Sequence, residues 1–385
     1  MRIKALEWQL SLKKGDREKP KKLYIKAKLQ EGAVMKAAEF NRLKEICEIP
    51  GVPGHEFLIR KHLMQVIKPY VDSMSIDPLG NLIAFKKGKS RKKLMISAHM
   101  DEIGFIVSHI EKEGFIRFKT LGGFDPKTLC SQRVVLYDEK QQIPAVIGCK
   151  PIHSMTAAER KNVPELDTFY MDCGLPQKEI EKRISLGMPV ARIGPCEKMG
   201  EMIVSKSLDN RLCVHVLVEM LRSLKEPAYD TYALFSVQEE VGIRGASVAS
   251  AAIKPDVGIA LDVTLANDLP GISPQDYCTK LGEGVGLKVL DASSIVCREL
   301  RLFMESLAKK KKIPMQLEIM QGGGTDTSGL QYRGGHACLA GCLSVPTRYI
   351  HSTTESCSAK DVQSTIELLT EVTEKLNLLK VTHLP

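Results

Sequence analysis

In this 385-residue chain, short apolar runs end again and again in an ionisable residue. In order these are Ala98-His99-Met100-Asp101-Glu102, Ser207-Leu208-Asp209-Asn210, Gln238-Glu239-Glu240-Val241-Gly242, Leu261-Asp262-Val263 and Tyr349-Ile350-His351-Ser352. The short runs read as buried strands, and helical spacing fills much of the chain between them. Strand–helix alternation implies an α/β fold, a mainly parallel sheet covered by helices on both faces. Ligands of such sheets bind at the carboxyl ends of the strands. That is where His99, Glu239, Glu240 and Asp262 fall. Ionised groups so near a core are held only when paired or bound to a cation. Two His, two Asp and a Glu form a natural shell for two divalent ions, and a further Glu is left as a base. The pattern points to metal-assisted hydrolysis.

Each motif alone has a plainer reading. His99-Met100-Asp101 fits a capped turn as well as an imidazole oriented by a carboxylate. Asp209 stands where a helix N-cap is expected, a role Asp fills well. A lone histidine such as His351 is more often a satisfied surface or core residue than a ligand. Glu239-Glu240 is harder to dismiss, because adjacent carboxylates repel unless a cation neutralises them. One of the two can bind metal while the other faces the attacking water. His55, His62, His109, His153, His215, His336 and His383 are given no role. Of these, His215 has the strongest claim to one, since it follows Asp209 on the same helix.

Helices are expected from Met35 to the breaker Ile49-Pro50-Gly51-Val52-Pro53-Gly54, and near 56–67, 211–224, 245–253, 293–312 and 359–379. Strands are expected at 81–85, 94–97, 232–237, 257–261 and 337–343. Between about 106 and 203 the chain reads instead as short strands and turns, a small β domain inserted into the catalytic domain 35–105 plus 204–385. Gly322-Gly323-Gly324-Thr325-Asp326 lacks the ending of a phosphate loop. It reads as a loop of unusual backbone beside the site.

The net charge of +9 does not mark a nucleic-acid binder. Residues 1–34 hold ten Lys/Arg against four Asp/Glu, leaving 45 against 42 in the rest. The basicity belongs to that N-terminal extension, read as a flexible tail or as upstream sequence before a start at Met35. Lys309–Lys312 fits a helix C-terminus, where cations favour the dipole. No apolar run approaches the roughly 20 residues needed to span a bilayer, and the charged N-terminus lacks a secretory pattern. Eleven cysteines with no CxxC pair suggest reduced thiols and a cytoplasmic setting.

From Met35 onward the chain resembles the M42 family of dinuclear metalloaminopeptidases, also labelled glutamyl aminopeptidases or, in older usage, endoglucanase M. The resemblance rests on Ser97–Phe105, Lys206–Arg211, Gln238–Gly242, Gly323–Asp326 and Val345–Ser352. It implies one metal held by His99, Asp209 and Asp262, and a second by Asp209, Glu240 and His351. It implies Glu239 as general base and Asp101 as the residue orienting His99. It also implies short peptide substrates, an inserted domain that makes dimers, and dimers assembled into a hollow tetrahedral dodecamer. Oxygen and imidazole donors suit Zn, Co or Mn. Three other readings remain: a metal-dependent deacylase of N-acylated amino acids, a glycoside hydrolase, which needs two carboxylates rather than a metal pair, and a non-catalytic scaffold.

Overall fold

The computed structural model describes residues 35–382. The basic extension 1–34 and His383 lie outside the described residues.

Strands Tyr229–Ser236, Ser90–His99, Val257–Leu265 and Leu339–Arg348 lie side by side and parallel at the middle of an 11-stranded sheet. Alternate residues of one strand feed two cores. Leu94, Ile96 and Ala98 join the larger, packed under helices Leu208–Ser223, Arg298–Lys311 and Ala359–Lys375. Met95 joins the smaller, with Ile243, Ala246, Ala249 and Ile253 around helix Arg244–Ile253. Each fully buried Leu or Ile contributes roughly 1.5–3 kcal/mol, so burial on both faces explains the near-continuous apolar runs.

Outside this core most pairings are antiparallel, although Val285–Leu290 and Met315–Ile319 pair in parallel. Leu82–Lys86 pairs with Tyr229–Ser236, and Glu355–Ser358 pairs with the end of Leu339–Arg348. The latter two strands are joined by 349–354, too short for the crossover that parallel pairing needs. Strand Met202–Ser205, read from sequence among the inserted strands, pairs with Glu355–Ser358 and belongs to the large sheet.

The inserted strands close into a barrel. Its spatial order is Gly104–Ile110, Ile116–Leu121, Tyr170–Asp172, Gln142–Gly148, Arg133–Tyr137 and Pro189–Arg192. Strand Gln142–Gly148 alternates exposed and buried residues, as a barrel wall requires. Phe105, Phe118, Val134, Leu136, Ile147 and Val190 fill the interior. Phe105 stacks on Phe124 with centroids 4.6 Å apart and meets Phe118 edge-on.

One strand boundary corrects the sequence reading. Asp262 does not end its strand. Val257–Leu265 continues three residues past it, pairing with Leu339–Arg348 as far as Leu265↔Thr347. The β-branched residues Val263 and Thr264 suit that extension. Pairing with Ser90–His99 nevertheless stops at Ala260↔Ser97. His99 and Asp262 stand just past that point, at the mouth of the crevice between the two strands.

Candidate metal centre

His99 is the last residue of its strand, and its ring is buried. Its Nε2 lies 3.3 Å from Asp209 Oδ1, 3.7 Å from Asp262 Oδ1 and 3.9 Å from Glu239 Oε2. On the other side of Asp209, Oδ2 lies 3.4 Å from His351 Nε2, which is also 3.4 Å from Glu240 Oε2. The donors thus fall into two groups that share Asp209: His99, Asp209 and Asp262, and Asp209, Glu240 and His351. Within each group the donor atoms lie within 4.8 Å of one another.

Local backbone explains the convergence. Asp209 does not cap helix Leu208–Ser223. The cap position is Ser207, and Asp209 keeps a non-helical φ of −76° and ψ of 106° inside the first turn. Its carboxylate is therefore turned to the two imidazoles. The Asp209–Asn210 peptide is cis, and the Asn210 amide donates to the carbonyl of Leu261, at 2.9 Å. Gln238, Ile243, Tyr349 and His351 all have φ between 56° and 67°. Left-handed backbone is uncommon for such side chains, and clustering of this kind marks functional sites.

Asp101 acts on more than His99. Its Oδ1 lies 3.5 Å from His99 Nδ1, while its own backbone carbonyl is nearer, at 3.2 Å. The carboxylate also accepts the N–H of Glu239 on Oδ1 and that of Glu240 on Oδ2, each at 3.1 Å. One buried aspartate therefore anchors the imidazole and the Glu-Glu turn together. The barrel reaches the centre through Gly122-Gly123. A side chain on Gly122, where φ is +92°, would begin 2.4 Å from Ile103 Cγ2, and one on Gly123 would begin 3.6 Å from His351 Nδ1.

The electrostatics are those of a cation site. Burial works against a charged His99, but bonds from Asp101, Asp209 and Asp262 outweigh it and hold the imidazolium well above its usual range. His351 likewise overcomes burial through Asp209 and Glu240, reaching about 11. Asp209 is pushed up by burial yet held below the ordinary carboxylate range by the two histidines. Burial raises Glu239 far above its ordinary value and raises Glu240 as well. It takes Asp262 to about 7 against the pull of His99. Glu240 Oε1 is buried and has no hydrogen-bond partner among the described residues. Burial and mutual repulsion thus lift the proton affinity of three of the four carboxylates that crowd the two imidazoles, and oxygen and imidazole donors in this grouping fit divalent ions.

Two buried acids beside the site were given no role from the sequence. Glu355 accepts the N–H of Asp209 and of His351. Asp326, within the glycine-rich motif, accepts the hydroxyls of Ser97 and Ser236, each at 2.5 Å, behind the strand ends. Neither stands after an apolar run, so spacing held no signal for them. His215 is buried away from the centre, 3.8 Å from Glu39. A larger cleft of about 820 Å³, lined by Glu45, His62, Arg192 and Lys206 among others, gathers none of the ligand groups.

Comparison with known proteins identifies the family. A putative aminopeptidase of Acetivibrio thermocellus is 39% identical, over 86% of this chain and 97% of its own. The lysyl aminopeptidase of Pyrococcus furiosus is 37% identical, over 89% of this chain and 99% of its own. The TET1 peptidase of Pyrococcus horikoshii, described as assembling into a tetrahedron or a large octahedral shell, superposes with a TM-score of 0.79. It is 29% identical and covers 88% of this chain and 99% of its own. The model of the M42 glutamyl aminopeptidase family matches residues 80–368, and with these relatives it establishes that the chain belongs to that family of metal-dependent peptide-bond hydrolases.

Proposed function

We propose that this protein is a two-metal aminopeptidase that removes N-terminal residues from short peptides. The observation carrying this reading is the sharing of Asp209, whose two oxygens face His99 at 3.3 Å and His351 at 3.4 Å. In this reading His99, Asp209 and Asp262 hold one ion, and Asp209, Glu240 and His351 hold the other. Zn, Co and Mn all suit such donors. Bound there, a divalent pair supplies Lewis acidity and a water that ionises near neutral pH.

Glu239 has the position of a general base. It lies beside the first group without belonging to either, and its backbone N–H is fixed by Asp101. Burial raises its proton affinity, which suits a group that takes a proton from water and returns it to the leaving amine. Asp101 positions both His99 and Glu239.

The barrel serves as the dimerisation domain in this reading, and dimers build a hollow particle, a dodecamer, like the tetrahedral form of the Pyrococcus horikoshii relative. A cytoplasmic setting is supported by the eleven cysteines, all of them free. Among the described residues, no helix is long and apolar enough to cross a membrane. No nucleic-acid role is assigned. The glycoside-hydrolase reading is set aside, because the family hydrolyses peptide bonds.

The test is cleavage of a peptide with a free N-terminus and of its N-acetylated form, before and after chelation, with Zn, Co or Mn restored. Metal-dependent cleavage of the free form alone is expected. Preference for the acetylated form would move the protein to the deacylases. Activity persisting in protein shown to be free of metal would overturn the reading.

A further inference from the structure

The cleft containing the candidate metal centre encloses about 500 Å³. One end consists of the five grouped ligands and Glu239. The rest of the wall is apolar: Ile243, Val263, Leu265, Met320 and Ile350, with the backbone of Gly322–Gly324 and two threonines. These come from separated stretches of chain, yet none brings a charge. Among the described residues, neither a lysine nor an arginine lines the cleft, and the only carboxylates there belong to the metal centre.

Among the described residues, Lys288 and Arg348 on neighbouring elements are paired with acids of their own, and exposed Arg244 turns to a neutral amide outside the cleft lining. Lys288 is fully buried against Glu318 and Asp291. Arg348 holds Asp268 at 2.7 Å. Arg244 donates to the side-chain oxygen of Gln238 at 3.1 Å. A glutamate side chain entering this cleft away from the metals would shed water and meet no cationic side chain among the described residues. A lysine would meet no carboxylate other than those facing the metals. Burying an uncompensated charge is strongly unfavourable, whereas an aliphatic side chain gains from the same wall.

We infer that the enzyme prefers peptides whose N-terminal residue carries an uncharged aliphatic side chain, such as leucine or methionine, over glutamate or lysine. The inference rests on the aminopeptidase reading above. It separates this chain from the acidic and basic preferences in the names of its family and of its Pyrococcus furiosus relative.

The experiment compares kcat/KM for leucyl, methionyl, glutamyl and lysyl nitroanilides with the purified, metal-loaded assembly. Leucyl and methionyl substrates are expected to lead the charged pair by at least about tenfold. Chelator-sensitive cleavage led by the glutamyl or lysyl substrate would overturn the inference and leave the aminopeptidase reading standing. Failure to cleave any of the four, or any free peptide, would remove both. As a second arm, Leu265→Lys places a cation on the partly exposed rim of the wall. The ratio of glutamyl to leucyl cleavage should rise by about tenfold. An unchanged ratio in an active, folded variant would show that this wall does not meet the substrate side chain.

Discussion

The carboxylate of Glu355 accepts the backbone N–H of Asp209 at 2.8 Å, across 146 positions of sequence. Its other oxygen accepts the N–H of His351 at 2.9 Å. A single buried side chain thus sets the spacing between the shared carboxylate and the imidazole of the second ligand group. Glu355→Gln preserves the size but opposes an amide N–H₂ to one of two backbone donors. Metal affinity should fall about 10- to 100-fold, as for other residues that orient ligands. Metal content after dialysis against graded chelator, read by mass spectrometry, checks this. Wild-type retention would show that the bridge is dispensable.

Glu239→Gln should separate proton transfer from metal binding. The residue lies outside both ligand groups, so metal content should match wild type while kcat drops by about 10²- to 10⁴-fold. Asp101→Asn should behave differently. It puts one amide N–H₂ against the backbone donors of Glu239 and Glu240, and weakens the hold on His99. Loss of both metal and activity is expected there. If Glu239→Gln lost its metal, or kept its rate, the base assignment would fail.

Metal uptake should depend on pH, and the sign follows from the site. His351 titrates at about 11, so after chelation it is protonated throughout the neutral range and its proton must leave when metal binds. Asp262 titrates at about 7, so it too carries a proton below that pH and gives it up above. Both shifts are upward, so metal competes with protons and affinity rises with pH. His99 is held charged in the same way, so each ion displaces one imidazole proton, and the gain should be at least about tenfold per unit for each ion and steeper below pH 7. Calorimetric titration of Zn into stripped protein at pH 6, 7 and 8, in buffers of differing ionisation enthalpy, counts the protons. A flat affinity would sink the assignment of these residues as ligands.

Lys288 ties the sheet to the glycine-rich loop. It bonds Glu318 and lies 3.6 Å from Asp291, which in turn accepts the Thr325 hydroxyl at 3.2 Å. All three charged groups are buried, and removing the cation leaves two carboxylates together. Lys288→Met should cost about 3–5 kcal/mol of stability, the usual penalty for breaking a buried pair. Urea unfolding checks the magnitude. A rise in KM is expected as well, since the loop lines the cleft. A variant as stable as wild type would mean that the acids take up protons instead.

Periodicity and residue type were enough for the parallel core, the flanking helices, the inserted β segment and the presence of ionisable residues beside the apolar runs. Those features are local: a strand buried on both faces must be apolar, and a carboxylate beside a core must be neutralised. Tertiary structure alone decided the rest. It placed Asp262 inside a strand, because pairing with Leu339–Arg348 continues past it. It turned Asp209 from a helix cap into the shared carboxylate. It set strand Met202–Ser205 in the large sheet, recruited Glu355 and Asp326 as buried supports, and assembled the apolar wall from distant segments. Such relationships join residues far apart along the chain. Spacing records what one strand or helix presents to its neighbours, but not which neighbour arrives.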